Sequence, residues 1–265
     1  VLIMLFLSLK QFSLRIKIIY SLLILFSAYS LLHTRFLWNL NMGFLLSVIL
    51  FFVFLKWEES IAKKWYVLIS YCLISGAIFQ IHYGTLFLYV IFLLYLVKGL
   101  KNKSLYLCGF IFSFVPFVIF DVRHNLLLVR TAIGVIQSSI LNHPAMSSNI
   151  LTTFGEIFEA YLFPNLIHND LIKSVLLVSL LVTIGRFLYM NKKNKIYFSL
   201  FLMSIVFFTS YIFFRRAFTY YLATYMLIFY LVFALWLGEM STRGTARLLS
   251  VVFFLFFFTI YNGLY

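Results

Sequence analysis

Long apolar runs separated by short polar segments dominate this chain of 265 residues. Inside a bilayer, a run of about 17 to 25 apolar residues must be helical, because no water is present to satisfy exposed backbone groups. The pattern therefore predicts an all-α fold, a polytopic bundle of about nine full transmembrane helices. We find no internal repeat and no second domain, so residues 1–265 are expected to form a single transmembrane domain. The predicted spans lie near residues 17–34, 42–56, 64–81, 84–98, 104–121, 171–190, 196–214, 217–238 and 247–263.

The chain begins in an apolar run that is too short to cross a membrane. The nine residues from Val1 to Leu9 form only about 14 Å of helix, whereas the hydrocarbon core is roughly 30 Å thick. A cleaved signal peptide is the alternative, but no basic segment precedes the run and no small-residue cleavage site follows it. We therefore expect a truncated first span, with the amino-terminal part missing.

The long outer loop, residues 122–170, has an amphipathic pattern of its own. Glu156 stands on its polar face, and Glu159 lies near the edge of that face. This pattern is typical of an amphipathic helix that lies on the outer membrane surface. The apolar positions at helical spacing are Ile150, Leu151, Phe154, Ile157, Phe158, Tyr161 and Leu162.

The composition agrees with a chain that is solvated by lipid. Hydrophobic residues make up 64% and charged residues 11%, whereas a soluble domain has about 25% charged residues. The net charge of +14 does not indicate nucleic acid, because the basic residues form short clusters between apolar runs rather than a continuous face. Cys72 and Cys108 lie inside apolar runs, in neither metal-ligand nor redox spacing, and are expected to be membrane-buried thiols.

The basic clusters predict the orientation of the spans. Cytoplasmic loops of membrane proteins carry an excess of Lys and Arg, and most of the 21 basic residues fall on one side of the predicted alternation. We assign that side to the cytoplasm. The basic residues left on the outer side are Arg35, Arg123, Arg130, Lys173, Arg215 and Arg216.

The densest polar group at an outer helix end runs from Asp121 to Asn125, directly after a predicted span. Ionisable residues near a bilayer are costly, which makes this group a candidate site. Asp121 and His124 would share a face if the helix continues, so the pair could transfer a proton or bind a divalent metal. Arg123 adds a permanent cation. The alternative is a polar helix end that only anchors the chain at the interface.

Further outer residues are candidates for substrate binding. Arg215 and Arg216 lie between two spans and precede Tyr220. Arginine can bind phosphate oxygens bidentately, so a phosphate group would explain this pair. Arg35 lies in a short outer loop, and His82 lies at the tip of a predicted helical hairpin. Interfacial anchoring, or a structural role for His82, is the alternative reading.

Four segments carry a family resemblance: SLLHTRFLWN at 30–39, QIHYGT at 80–85, PFVIFDVRHN at 116–125 and YYL at 220–222. In this order they resemble bacterial membrane glycosyltransferases related to protein O-mannosyltransferases and lipid A aminoarabinose transferases. The third segment, for example, is similar to the family's Phe-Asp-Leu-Arg-His-Asn motif. The resemblance covers most of the chain.

The resemblance implies the GT-C architecture, a helical bundle in the cytoplasmic membrane of a prokaryote with an extracytoplasmic active site. There, a sugar would pass from a polyprenyl-phosphate donor to an acceptor protein, lipid or glycan. Arg215 or Arg216 would stabilise the departing phosphate, and Arg35 or Arg123 would assist. Asp121 and His124 would orient substrate or bind a metal.

The chain departs from the family pattern at two places. It has no counterpart of the acidic residue that follows the family's first span, so the catalytic base is unknown and this chain alone is expected to be inactive. Asn39 and Asn41 stand where many relatives carry Asp. A non-enzymatic flippase or transporter of lipid-linked saccharides is the alternative function, although neither inverted repeats nor paired broken helices are evident. A membrane polysaccharide polymerase is a third possibility, and it would use the same sugar-transfer chemistry as the glycosyltransferase.

Overall fold

The computed structural model describes residues 12–27, 111–112, 114–127, 129–131, 133–134, 137, 150–214 and 219–264. Within these residues the fold is all-helical, as predicted, and no strand is present. The helices are α1 (Leu14–Leu25), α2 (Val115–Arg123), α3 (Ile150–Tyr161), α4 (Asp170–Met190), α5 (Lys195–Phe214), α6 (Thr219–Ser241) and α7 (Thr245–Leu264).

The predicted spans from residue 171 onward each coincide with one helix, α4 to α7. Helices α4 and α7 are long and apolar enough to cross a membrane, whereas α5 and α6 contain shorter apolar stretches, Ile196–Thr209 and Tyr225–Ser241. The described part of the chain thus contains two helices of full membrane length, fewer than the nine spans predicted for the whole chain. The predicted spans 42–56, 64–81 and 84–98 lie outside the described residues.

Helix α6 lies at the centre of the packing because it is apolar on every side. Every residue from Tyr225 to Leu235 is buried, and α1, α3, α4, α5 and α7 all contact this helix. Helices α4 and α7 instead leave apolar side chains open, among them Val182 and Phe253, which are 65% and 70% exposed. Large apolar side chains on the outside of a bundle are what a lipid solvent allows.

Contacts near the helix ends fix the antiparallel order of the bundle. Arg15 near the start of α1 donates to the Ser241 hydroxyl at the end of α6 over 3.1 Å. Toward the opposite end, Asn262 of α7 donates to the Leu162 carbonyl over 3.1 Å. Each pair joins residues that the predicted alternation of spans places on the same side of the membrane.

Helix α3 forms where the amphipathic spacing predicts it. Its apolar residues Phe154, Ile157, Phe158 and Tyr161 are buried, while Glu156 is exposed. The apolar face packs against α4 and α6. It therefore covers other helices, whereas the sequence suggested a face resting on the membrane surface.

Candidate functional site

The candidate site predicted around Asp121 lies at the carboxyl end of α2. Pro116 stands in the first turn of this helix, where the missing N–H leaves no helical hydrogen bond unmade. The helix ends at Arg123, and Asn125 and Leu126 take left-handed backbone conformations, with φ of 55° and 58°. The Leu126 N–H then donates to the Asp121 carbonyl over 2.7 Å. This turn ends α2 immediately after the polar residues.

The three predicted side chains at this helix end differ in their exposure. Asp121 is 3% exposed, whereas Arg123 and His124 are exposed. A carboxylate is stable away from water only when hydrogen bonds or charges compensate its lost hydration, and Asp121 interacts with other residues in the structure. Asp121 is therefore suited to fixing the helix end, and Arg123 and His124 are the groups that can reach a ligand.

His124 is held against its own helix. Its ring stacks on Phe120 with the ring centroids 4.0 Å apart, and its Nδ1 atom lies 2.7 Å from the Phe120 carbonyl oxygen. A carbonyl oxygen can only accept, so Nδ1 carries a proton and Nε2 is the atom left to accept one. The helix does not continue to His124, and Nδ1 is engaged by Phe120, so it is not available to Asp121.

The structure gives little support for a metal at this helix end. Among the residues that the structure describes, no group of three or more His, Cys, Asp or Glu side chains could hold a metal ion. Asp121 and His124 Nε2 would supply at most two ligands, and these two side chains differ in burial. We therefore assign no step to a metal.

A second polar cluster, which the sequence did not single out as a site, joins α3 to the start of α4. The Lys173 ammonium lies 2.7 Å from Glu159 Oε1 and 2.9 Å from Asp170 Oδ1. Lys173 is only 6% exposed. The Asn169 side chain caps α4 by accepting from the Leu171 and Ile172 N–H groups. The spacing of Asp170 and Lys173, three apart at a helix start, is the sequence signal that could have indicated this cluster.

The charge balance of this cluster excludes Lys173 as a free phosphate receptor. The carboxylates of Glu159 and Asp170 surround one ammonium. A third carboxylate, that of Glu156, lies close enough to interact electrostatically with both of them. Partial burial raises the pKa of Glu156 above its ordinary value, and the negative charges of Asp170 and Glu159 raise it further. The outer cation Lys173 thus serves the packing of α3 on α4.

The other predicted substrate-binding residues lie outside what the structure describes. Arg35, His82, Arg215 and Arg216 are not among the described residues. Tyr220 belongs to the first turn of α6, but its side chain is likewise outside the description. The structure brings together Asp121, Arg123 and His124 at one helix end and leaves the positions of the others relative to this group as predictions.

Comparison with known proteins adds no relative to this description. No family model, no curated protein and no solved structure matches the chain. Function must therefore be inferred from the residues themselves.

Proposed function

We propose that this chain is a membrane glycosyltransferase that moves a sugar from a polyprenyl-phosphate donor to an extracytoplasmic acceptor. The observation that carries the proposal is the end of α2, where exposed Arg123 and His124 follow buried Asp121. One helix end there offers a permanent cation, a proton acceptor and a fixed carboxylate. The same segment is one of those that resemble the glycosyltransferase family.

The chemistry requires positive charge where the lipid phosphate departs. In the proposed reaction, an acceptor hydroxyl loses its proton to a base and attacks the anomeric carbon, while the bond from that carbon to the phosphate oxygen breaks. Negative charge builds up on the phosphate, which arginine can stabilise. The exposure of Arg123 supports this role, and Arg215 and Arg216 are its proposed partners.

His124 and Asp121 would act beside the cation. The imidazole of His124, which is exposed, can accept a proton at one stage and donate it at another. Asp121 would hold the helix end in place. The base that activates the acceptor is not assigned.

Membrane embedding through several spans is part of the proposal. Three observations support it: the membrane length of α4 and α7, their exposed apolar side chains, and contacts between helix ends that the predicted orientation places on the same side. The proposed compartment is the cytoplasmic membrane of a prokaryote, with α2 ending on the outer side.

Donor recognition is tested by measuring how the full chain, in lipid nanodiscs, binds a polyprenyl phosphate. Arg123→Ala should weaken binding by about 10- to 150-fold, since a charge-assisted hydrogen bond contributes about 1.5–3 kcal/mol. Arg123→Lys should retain part of the affinity. Native mass spectrometry of the complexes would give the bound fraction at each lipid concentration.

Two controls make this measurement specific. Arg243→Ala removes an exposed arginine just after α6, which is paired with Glu239 and lies on the side predicted to be cytoplasmic, and it should leave binding unchanged. The matching polyprenol, which lacks phosphate, should bind weakly to every variant. Equal binding of the alcohol and the phosphate, or no effect of Arg123→Ala, would refute donor recognition at α2. Transbilayer movement of the sugar lipid without cleavage of its sugar–phosphate bond would favour a flippase.

A further inference from the structure

Helices α3 and α4 run in the same direction, although only residues 162–169 join them. A Cβ atom on Gly155 would lie 3.2 Å from Asp170 Oδ1, and Glu159 lies 2.7 Å from Lys173. Later residues of α3 thus meet later residues of α4. Helices joined by a short loop are usually antiparallel, so the intervening chain must return along α3 before α4 begins.

The end of α3 lies well below the outer end of α6. The Tyr161 ring stacks on Phe229 with the centroids 4.7 Å apart, and it also contacts Tyr225 and Tyr230 at 6.5 and 6.3 Å. Because α6 begins at Thr219 and rises 1.5 Å per residue, these partners lie about 9 to 16 Å from its outer end. Tyr161 is therefore inserted between helices rather than resting on top of them.

The residue at the turn is inserted in the same way. Phe163 packs into a set of aromatic rings on α7, with ring centroids 5.4 to 5.9 Å away. Phe163 itself is 9% exposed. The partners on α7 are Phe254, Phe257, Phe258 and Tyr261.

Three backbone carbonyls at the turn accept hydrogen bonds from side chains of α6 and α7. Such carbonyls at the end of a helix normally bond to water, and inside a bilayer an unsatisfied one is costly. Irregular backbone at membrane depth is tolerated where the protein itself satisfies it. The pairs are Tyr230 with Tyr161 (2.9 Å), Asn262 with Leu162 (3.1 Å) and Tyr261 with Pro164 (2.6 Å).

The turn from Tyr161 to Pro164 is uncharged and largely buried. The charged residues of α3, Glu156 and Glu159, precede this turn. Glu159 pairs with Lys173, whose other partner, Asp170, lies where α4 begins. The charge of Glu159 is thus compensated within the protein two residues before the chain turns.

We propose that residues 150–169 form a re-entrant segment. Helix α3 enters the bundle from the outer side, the chain turns at Tyr161–Pro164 between α6 and α7, and it returns to the surface where α4 begins. Glu159 near the end of α3 pairs with Lys173 of α4, and the side chains of Tyr230, Asn262 and Tyr261 donate to the carbonyls of the turn. This inference depends on the bundle crossing a membrane and is independent of sugar transfer.

Distances between spin labels test the orientation of α3. The full chain, with Cys72→Ala and Cys108→Ala, would carry Arg243→Cys in the α6–α7 turn together with either Thr152→Cys or Ala160→Cys, in lipid nanodiscs. The Ala160 pair should be shorter than the Thr152 pair by about 12 Å, the rise of eight helical residues. Asn191→Cys at the end of α4 supplies a second reference position, should the first labelled pair fold poorly. Nearly equal distances would overturn the proposal.

The same labels report depth in the bilayer. Collision with a water-soluble nickel complex should be lower for the label at Ala160 than for the label at Thr152, and collision with oxygen should show the opposite order. Different distances with equal nickel accessibility would mean that α3 stands upright outside the membrane, which also overturns the proposal. Neither readout uses a sugar donor, so failure of the proposed function leaves this test intact.

Discussion

Lys173 is the buried member of an ion cluster whose other members reach solvent. Its side chain is 8% exposed, while Glu159 and Asp170 are 30% and 47% exposed. Removing the partners of a buried charge is more costly than removing the charge itself, because the remaining group has neither water nor a counter-ion. The two carboxylates, in contrast, can be hydrated if Lys173 is lost.

Substitutions in this cluster should therefore have unequal effects on stability. The double substitution Glu159→Gln with Asp170→Asn should lower the free energy of unfolding by about 3 kcal/mol, because it leaves Lys173 buried and unpaired. Lys173→Met, which keeps most of the length of the side chain without its charge, should cost less than about 1 kcal/mol. Denaturant titration of the purified protein in detergent would measure both values. A Lys173→Met loss as large as that of the double substitution would show that the ammonium itself holds α3.

At the level of residues, only part of the candidate site could be predicted from the sequence. The order Asp121, Arg123, His124 after an apolar run indicated a polar helix end, which the structure contains. The sequence indicated only weakly that the helix stops at Arg123, because asparagine marks a left-handed helix end less strongly than glycine and leucine rarely adopts this conformation. The ion cluster was also not predicted from the sequence, since Glu159 and Lys173 meet only through the packing of two helices.

At the level of helices, the contact between α1 and α6 depends on a glycine. A Cβ atom on Gly238 would lie 2.8 Å from Ile16 Cγ1, which is closer than atoms can approach without a shift. Gly185 of α4 is a contrasting position, since its Cβ would lie 3.9 Å from the nearest atom, Phe201 Cε2. The close approach of α1 and α6 therefore requires glycine at position 238, whereas position 185 has room for a methyl group.

Alanine at these two glycines should separate the effects of packing and helix propensity. Gly238→Ala should destabilise the protein by about 1–3 kcal/mol through overpacking against Ile16. Gly185→Ala should be neutral or stabilising by up to about 1 kcal/mol, because alanine favours the helix. Unfolding curves of the two variants in one detergent give the comparison. If Gly185→Ala were as harmful as Gly238→Ala, close packing at α1 would not explain the glycine.

At the level of helices, the hydropathy pattern predicted where each helix lies in the sequence but not which helices pack against each other. Helices α4 to α7 follow from apolar runs within a few residues. An apolar helix such as α6 has no polar face, so the sequence cannot say which sides meet protein and which meet lipid. The amphipathic spacing of α3 likewise predicted an apolar face without deciding between the membrane surface and other helices.

At the scale of the whole molecule, we propose a bundle that crosses a membrane, with α3 entering from the outer side. Packing places the α6–α7 turn near Arg15 and the segment after α3 near the end of α7. If the bundle spans the bilayer, the α6–α7 turn and the end of α7 must lie toward opposite compartments. Cytoplasmic placement of the first and outer placement of the second follow from the positive charge near the α6–α7 turn.

The most direct test is labelling of single cysteines in bacterial spheroplasts with a membrane-impermeant maleimide, again with Cys72→Ala and Cys108→Ala. His168→Cys, at an exposed position before α4, should be labelled in intact spheroplasts. Arg243→Cys, at an exposed position after α6, should be labelled only after the membrane is opened. Labelling of both cysteines in intact spheroplasts, or recovery of the protein in the soluble fraction, would contradict the account.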